Sequence, residues 1–176
     1  MKFKYELSKE KKNEIAQNLI DILQKNANIT KETVAFIGNW ILTGPNEKVK
    51  TFFDVWEIVL RNYIPTTRPI LFRACKKVSK NEKIASFTGR LDCARRFNDG
   101  KGSLIICDTN ETLEFEEKLF KPGEYKHTFY PLVSVLIKAR DSGGCGFSER
   151  LLNDYLGEDE YIMRINLGNM HCFKWK

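Results

Sequence analysis

Residues 69–88 read PILFRACKKVSKNEKIASFT, and the reading of this stretch decides the fold. Two short apolar runs, "PILFRAC" and "KIASFT", flank a polar segment of lysine, serine, asparagine and glutamate, the pattern of strands joined by a turn. The same rhythm returns downstream in "GSLIIC", "PLVSVLIKA", "EYIMRI" and "MHCFKW", each read as a strand. Two short helices, "RLDCARRF" and "SERLLNDY", interrupt them. Because no strand alternates regularly with a long crossover helix, a parallel doubly wound sheet is disfavoured, and an α+β fold with mostly antiparallel strands is expected.

Upstream of Pro69 the period changes from two to 3.6. In "KKNEIAQNLIDILQKN" the residues Ile15, Leu19, Ile22 and Leu23 share one helical face, with Ser8 as a cap. A second helix begins after Thr30, carries Val34, Ile37 and Ile41, and stops at Gly44 and Pro45. A third carries Phe52, Trp56, Val59 and Leu60 and ends before Pro65. The expected organisation is a helical N-terminal subdomain over residues 1–66 and an α+β core over 67–176, in one continuous globular unit. The helices read as scaffold or lid, and their aromatic residues as core.

At 176 residues, 42% hydrophobic and 30% charged, the chain can bury a core without staples. No apolar stretch is long enough to cross a bilayer, and no signal-peptide hydrophobic region follows the basic "MKFKYELSKEKK", so a cytoplasmic protein that does not bind membrane is expected. Cys75, Cys93, Cys107, Cys145 and Cys172 lie far apart without a C-x-x-C, and read as reduced thiols. His127 and His171 are too few and too scattered for a metal site, so no metal is expected. A net charge of +6 raises the local concentration of anions such as nucleic acid, nucleotides or acidic proteins. The "DSGGCG" stretch, Asp141 to Gly146, reads as a flexible loop; without a following Lys-Ser/Thr it is not a triphosphate cradle.

Three separated pieces carry chemistry. Arg73 interrupts an apolar strand, where a buried guanidinium needs an internal acid or an anionic ligand such as a pyrophosphate. Ser86 and Thr88 stand two apart on a strand and share a face. In "EDEYIMRIN", residues 158–166, Glu158 and Glu160 also stand two apart, and a strand beginning there would aim both at one place. Singly, each has a bland reading: hydroxyls on a strand surface, acids marking the start of a strand, and Phe97 a core aromatic of an amphipathic helix.

In this order the pieces resemble the arginine–serine–glutamate class of mono-ADP-ribosyltransferases, which includes bacterial toxins and small phage enzymes. That family has an arginine on a first strand, Ser-Thr-Ser on a second strand leading into a helix with a downstream aromatic, and Glu-x-Glu at the start of a late strand. Here these are "LFRA", "SFTGRLDCARRF" and "GEDEYIM", spanning roughly residues 68 to 166. One position departs: Phe87 stands where the family usually has threonine. The resemblance implies two small, roughly perpendicular sheets forming an NAD cleft, with the N-terminal helices beside one sheet. It implies that NAD is the co-substrate, that Arg73 holds a phosphate or ribose, that Ser86 orients Glu160, that Thr88 supports the same face, and that Phe97 packs on the nicotinamide. By the same resemblance Glu160 bonds the ribose hydroxyl and Glu158 serves the acceptor, in this family most often an arginine of a target protein.

The chemistry gives those residue types a reason. Cleavage of the nicotinamide–ribose bond passes through an oxocarbenium-like state, which a carboxylate beside the ribose stabilises only as charge develops. An arginine acceptor is protonated at neutral pH, so a second carboxylate is needed beside it as base or hydrogen-bond partner. Nucleic acid or water could replace arginine as acceptor. A catalytically inert binding module would instead use Lys76, Lys77, Arg90, Arg95 and Arg96 and would not need the two glutamates. Size and architecture suggest a phage enzyme acting in the host cytoplasm on host proteins, or a toxin with an antitoxin partner.

Overall fold

The computed structural model describes residues 4–76, 80–97, 99–143 and 149–175. Lys77 and half of the loop expected at Asp141–Gly146, Cys145 included, lie outside them. The chain is mixed α+β and divides into two units, Met1–Val59 with Val133–Leu156, and Leu60–Leu132 with Gly157–Lys176. The sequence reading drew one line at 66/67; the first unit here also takes a segment from the late chain.

The first unit is helical. Helix α1 (Lys9–Lys25) is capped by Ser8, whose side chain accepts from the Lys11 amide, and buries Ile15, Leu19, Ile20 and Ile22. Helix α2 (Lys31–Leu42) is capped by Thr30 in the same way through the Thr33 amide. Its buried stripe is Thr33, Phe36, Ile37 and Trp40, rotated from the expected Val34, Ile37 and Ile41. Helix α3 (Lys50–Asn62) begins in this unit, with Phe52, Trp56 and Val59 buried. The reason for the rotation of α2 is aromatic: Phe36 and Trp40 meet Phe52 and Trp56 with ring centroids 5.4 to 5.7 Å apart, mostly edge to face.

The second unit holds one antiparallel sheet of six strands: β1 (Ile70–Cys75), β2 (Ile84–Thr88), β3 (Ser103–Asp108), β4 (Phe129–Pro131), β5 (Glu160–Arg164) and β6 (His171–Lys174), in the order β4-β5-β2-β1-β3-β6. Helices α4 (Leu91–Phe97) and α5 (Thr109–Leu119) belong to this unit. Leu71, Ala85, Phe87, Ile105, Cys107, Leu113, Phe129, Met163 and Ile165 form its core on one face. The pairing is uneven. β1 and β3 pair at every position from Ile70↔Asp108 to Cys75↔Ser103, and β2 and β5 from Ile84↔Arg164 to Thr88↔Glu160. Between β1 and β2 a single pair, Phe72↔Thr88, joins the two halves. The strands therefore form one connected sheet, not two separate ones, with a parting along its middle.

Two segments differ from expectation. "PLVSVLIKA" was read as a strand, but only its proline is strand, at the end of β4; Val133–Asp141 is helix α6, burying Val135, Leu136 and Ala139. Those residues fall at i, i+1 and i+4, a helical face hidden in a short apolar run that periodicity alone cannot assign. The Lys138 ammonium donates to the Ala27 and Asn26 carbonyls (2.6 and 3.3 Å) just past the C-terminal end of α1. Helix α5 was not foreseen because its buried face, Thr109, Thr112, Leu113 and Glu116, is mostly polar. The last helix, α7 (Glu149–Gly157), matches the expected "SERLLNDY". No helix among the described residues is long and apolar enough to cross a membrane.

Candidate active site

The site is built where β2 runs into α4 and β5 begins. Along β2 the side chains alternate: Ala85 and Phe87 enter the core, so Ser86 and Thr88 take the other face. This also accounts for Phe87. It stands on the core side, 2% exposed, where an apolar ring packs and a threonine would leave a hydroxyl to satisfy.

Register sets the carboxylate against the hydroxyls. Glu160 is directly opposite Thr88, while Ser86 is opposite Ile162 and meets Glu160 on the diagonal. Diagonal neighbours on one face are about 7–8 Å apart, within reach of a glutamate side chain. Ser86, Thr88 and Glu160 therefore share one patch of one sheet face, and Glu160 and Ser86 are both half-buried.

Arg73 comes from the other side of the parting. Strand alternation assigns it, with Leu71 and Cys75, to the core face, across the sheet from Ser86 and Thr88. If the β1–β2 pairing continued, Ser86 would stand opposite Ala74; the strands have diverged by then. In the gap the Arg73 guanidinium donates from Nη1 to the Ser86 carbonyl oxygen at 2.8 Å. Burial pulls the Arg73 pKa below the usual arginine value, the mark of a cation held away from bulk water.

Glu158 requires a correction. The expectation that Glu158 and Glu160 share a strand face assumed a strand running through both. β5 starts at Glu160, and Asp159 lies in the left-handed region with φ of 47°, so the alternation rule does not extend to Glu158. Glu158 belongs to the turn after α7. That turn is fastened to the end of β2: Thr88 Oγ1 donates to the Glu158 carbonyl at 2.5 Å and the Gly89 amide to the Asp159 carbonyl at 3.1 Å. The Glu158 backbone is thus held beside the Thr88–Glu160 pair by a different device from the one expected.

Phe97 closes α4 and is 58% exposed. The reading of it as a core aromatic is overturned; it is a surface ring at the end of the helix that follows the serine strand. Arg95 and Arg96 beside it are exposed as well. Four residues went unremarked in the sequence as parts of this site: Gly89, Arg90, Asp159 and Tyr161. The Asp159 carboxylate accepts a hydrogen bond from the Tyr161 hydroxyl; burial first, then this neighbouring charge, pushes the Tyr161 pKa up to about 12. A glycine directly between a strand and a helix, in "FTGRL", was the available signal for the first of them.

Comparison with known family models, with curated proteins and with solved structures finds no match for this chain.

Proposed function

We propose that the second unit is the catalytic core of an NAD-dependent mono-ADP-ribosyltransferase. One observation carries the reading: Ser86, Thr88 and Glu160 fall on one sheet face in register, and the Arg73 cation is bonded to the Ser86 carbonyl at the sheet's parting. These are the arginine, serine and glutamate of the resemblance, the serine and glutamate sharing a face and the arginine reaching the serine's backbone from the other side of the sheet. The sheet is continuous, where that class has two sheets; in this reading the NAD cleft opens at the parting beside the single Phe72↔Thr88 pair.

In this reading Arg73 neutralises the NAD pyrophosphate, which a planar guanidinium can grip with two parallel bonds. Glu160 stabilises positive charge on the nicotinamide ribose as the glycosidic bond lengthens, oriented by the Ser86 hydroxyl, with Thr88 supporting the same face. Nicotinamide leaves with the bonding electron pair, and the acceptor nitrogen attacks the ribose carbon. Glu158, on its fastened turn, takes the proton that the arginine acceptor must lose. Phe97 supplies an exposed ring for the nicotinamide or the acceptor. The setting, a phage enzyme or a toxin with an antitoxin, belongs to the same proposal.

A nucleic-acid acceptor is the second reading, favoured by the exposed Arg95 and Arg96 next to Phe97, a cation–aromatic combination suited to phosphate and base. Transfer of label from NAD radiolabelled on the adenylate phosphate into cell lysate, with Glu160→Gln alongside, tests both. Protease-sensitive label that requires Glu160 supports a protein acceptor, and nuclease-sensitive label a nucleic acid. No transfer and no NAD consumption would sink the enzyme reading in favour of an inert binding module.

A further inference from the structure

The turn Gly157–Glu158–Asp159 is held by three consecutive residues of the β2–α4 junction, each taking one carbonyl. Thr88 Oγ1 donates to Glu158 at 2.5 Å, the Gly89 amide to Asp159 at 3.1 Å, and Arg90 Nη1 to Gly157 at 2.9 Å. The Thr88 hydroxyl in turn accepts the Arg90 amide at 3.1 Å. The Arg90 fork is itself aimed: Nε and Nη2 bind the Asp92 carboxylate at 3.2 and 2.8 Å, which leaves Nη1 directed at Gly157. At the far side of the turn, Tyr161 holds the Asp159 side chain.

Such a triple fastening exceeds what chain reversal before a strand needs. Strand pairing fixes the Glu160 backbone opposite Thr88. The fastening acts on what precedes it, the backbone of Glu158, next to the left-handed Asp159. Resting on the transferase reading, we propose that Thr88, Gly89 and Arg90 form a staple that presets Glu158 for a side-chain acceptor. In it Arg90 is a positioning residue that sets how ADP-ribose is divided between that acceptor and water. Glu160, fixed by the sheet, serves bond cleavage in both outcomes, whereas Glu158 serves only transfer. Loosening the staple therefore separates the two rates, because misplacing a catalytic group by about 1 Å can cost on the order of 100-fold in the step that uses it.

The test compares the 176-residue chain with Arg90→Ala, Arg90→Lys and Asp92→Asn, using agmatine as a small guanidino acceptor. Two rates are read: nicotinamide release from NAD without acceptor, and ADP-ribosyl-agmatine formation. Arg90→Ala is expected to lower transfer about tenfold and to change hydrolysis by less than about twofold. Its KM for NAD stays and its KM for agmatine rises. Asp92→Asn shifts the ratio the same way by less, and Arg90→Lys recovers it only in part, since an ammonium cannot bond Asp92 in fork geometry and reach Gly157 together. A parallel fall of both rates, or an unchanged ratio in Arg90→Ala, with the wild-type chain active, overturns the staple alone. A wild-type chain that neither hydrolyses NAD nor transfers refutes the transferase reading, and this inference with it.

Discussion

Gly89→Ala tests the packing of the site without reference to its chemistry. A Cβ built on Gly89 would lie 2.1 Å from Asp159 Oδ2 and 3.2 Å from both Asp159 Cγ and Tyr161 Cε2. The first distance is far inside van der Waals contact, so something must move. The Gly89 backbone cannot retreat cheaply, because its amide bonds the Asp159 carbonyl at 3.1 Å. The Asp159 carboxylate must swing away instead and lose the Tyr161 hydroxyl. A hydrogen bond to a charged group is worth about 1.5–3 kcal/mol, and crowding a packed site costs about 1–3 kcal/mol. Since the side chain relieves part of the clash as it moves, a loss of about 2 kcal/mol is expected, or about 1 M in the urea midpoint at an unchanged slope.

A second readout is independent of folding. Tyr161 is held at about 12 against an ordinary 10.0, so its bond to Asp159 is whole below pH 10 and is lost as the pH rises through the folded value. With Asp159 displaced, one tyrosine should ionise earlier in an ultraviolet titration. An alanine variant with the wild-type urea midpoint and an unshifted tyrosine titration would refute the reasoning.

The remaining predictions concern other parts of the fold. Glu116, 3% exposed, accepts from the His127 and Lys126 amides at 2.8 and 3.2 Å and meets His127 Nδ1 at 3.1 Å. Glu116→Ala should cost about 2–4 kcal/mol by leaving these groups unsatisfied, and Glu116→Gln clearly less, both measured by urea unfolding. Burial raises the Cys107 thiol to about 11, whereas Cys172 is exposed on β6. Native iodoacetamide labelling at pH 8, read by peptide mass spectrometry, should therefore modify Cys172 and spare Cys107 until the protein unfolds. Trp56→Ala should destabilise the helical unit by about 3–5 kcal/mol, because the indole is fully buried between Phe36 and Trp40. Trp56→Phe should recover most of this in thermal melts followed by circular dichroism.

The parts legible in the sequence were those with one dominant cause. Ser8 was readable as a cap, and Thr30 as the residue before a helix, because a hydroxyl before an amphipathic run has few other uses. β1, β2, β3, β5 and β6 were readable because turn residues punctuate them. Where two causes compete the reading failed. Val133–Asp141 carries an apolar run that suits strand and helix alike, and α5 buries threonines and a glutamate where periodicity looks for leucines. The site was legible as residue types: Ser86, Thr88 and Glu160 were placed on strands, and the sheet brings them onto one face. The geometry of Glu158 was not, because Asp159 adopts a left-handed conformation held by the Gly89 amide, a contact that crosses some seventy positions of chain.

The parting between β1 and β2 gives the site its electrostatic logic. Antiparallel strands that diverge leave backbone groups without ladder partners, and a buried carbonyl must find another donor. At Ser86 that donor is the Arg73 guanidinium, so the break in pairing is also what retains a cation among apolar strands. On the other side of β2, pairing with β5 is complete and ends with Glu160. Two strand spacings separate β1 from β5, about 10 Å between their backbones. Arg73 and Glu160 thus flank β2 on its two sides, the arginine rooted on the core face and the carboxylate on the other. Had β1 and β2 zipped together fully, Ser86 would bond a strand partner and the Arg73 guanidinium would lose this acceptor. The opening in the sheet and the seating of the arginine are in this respect one feature.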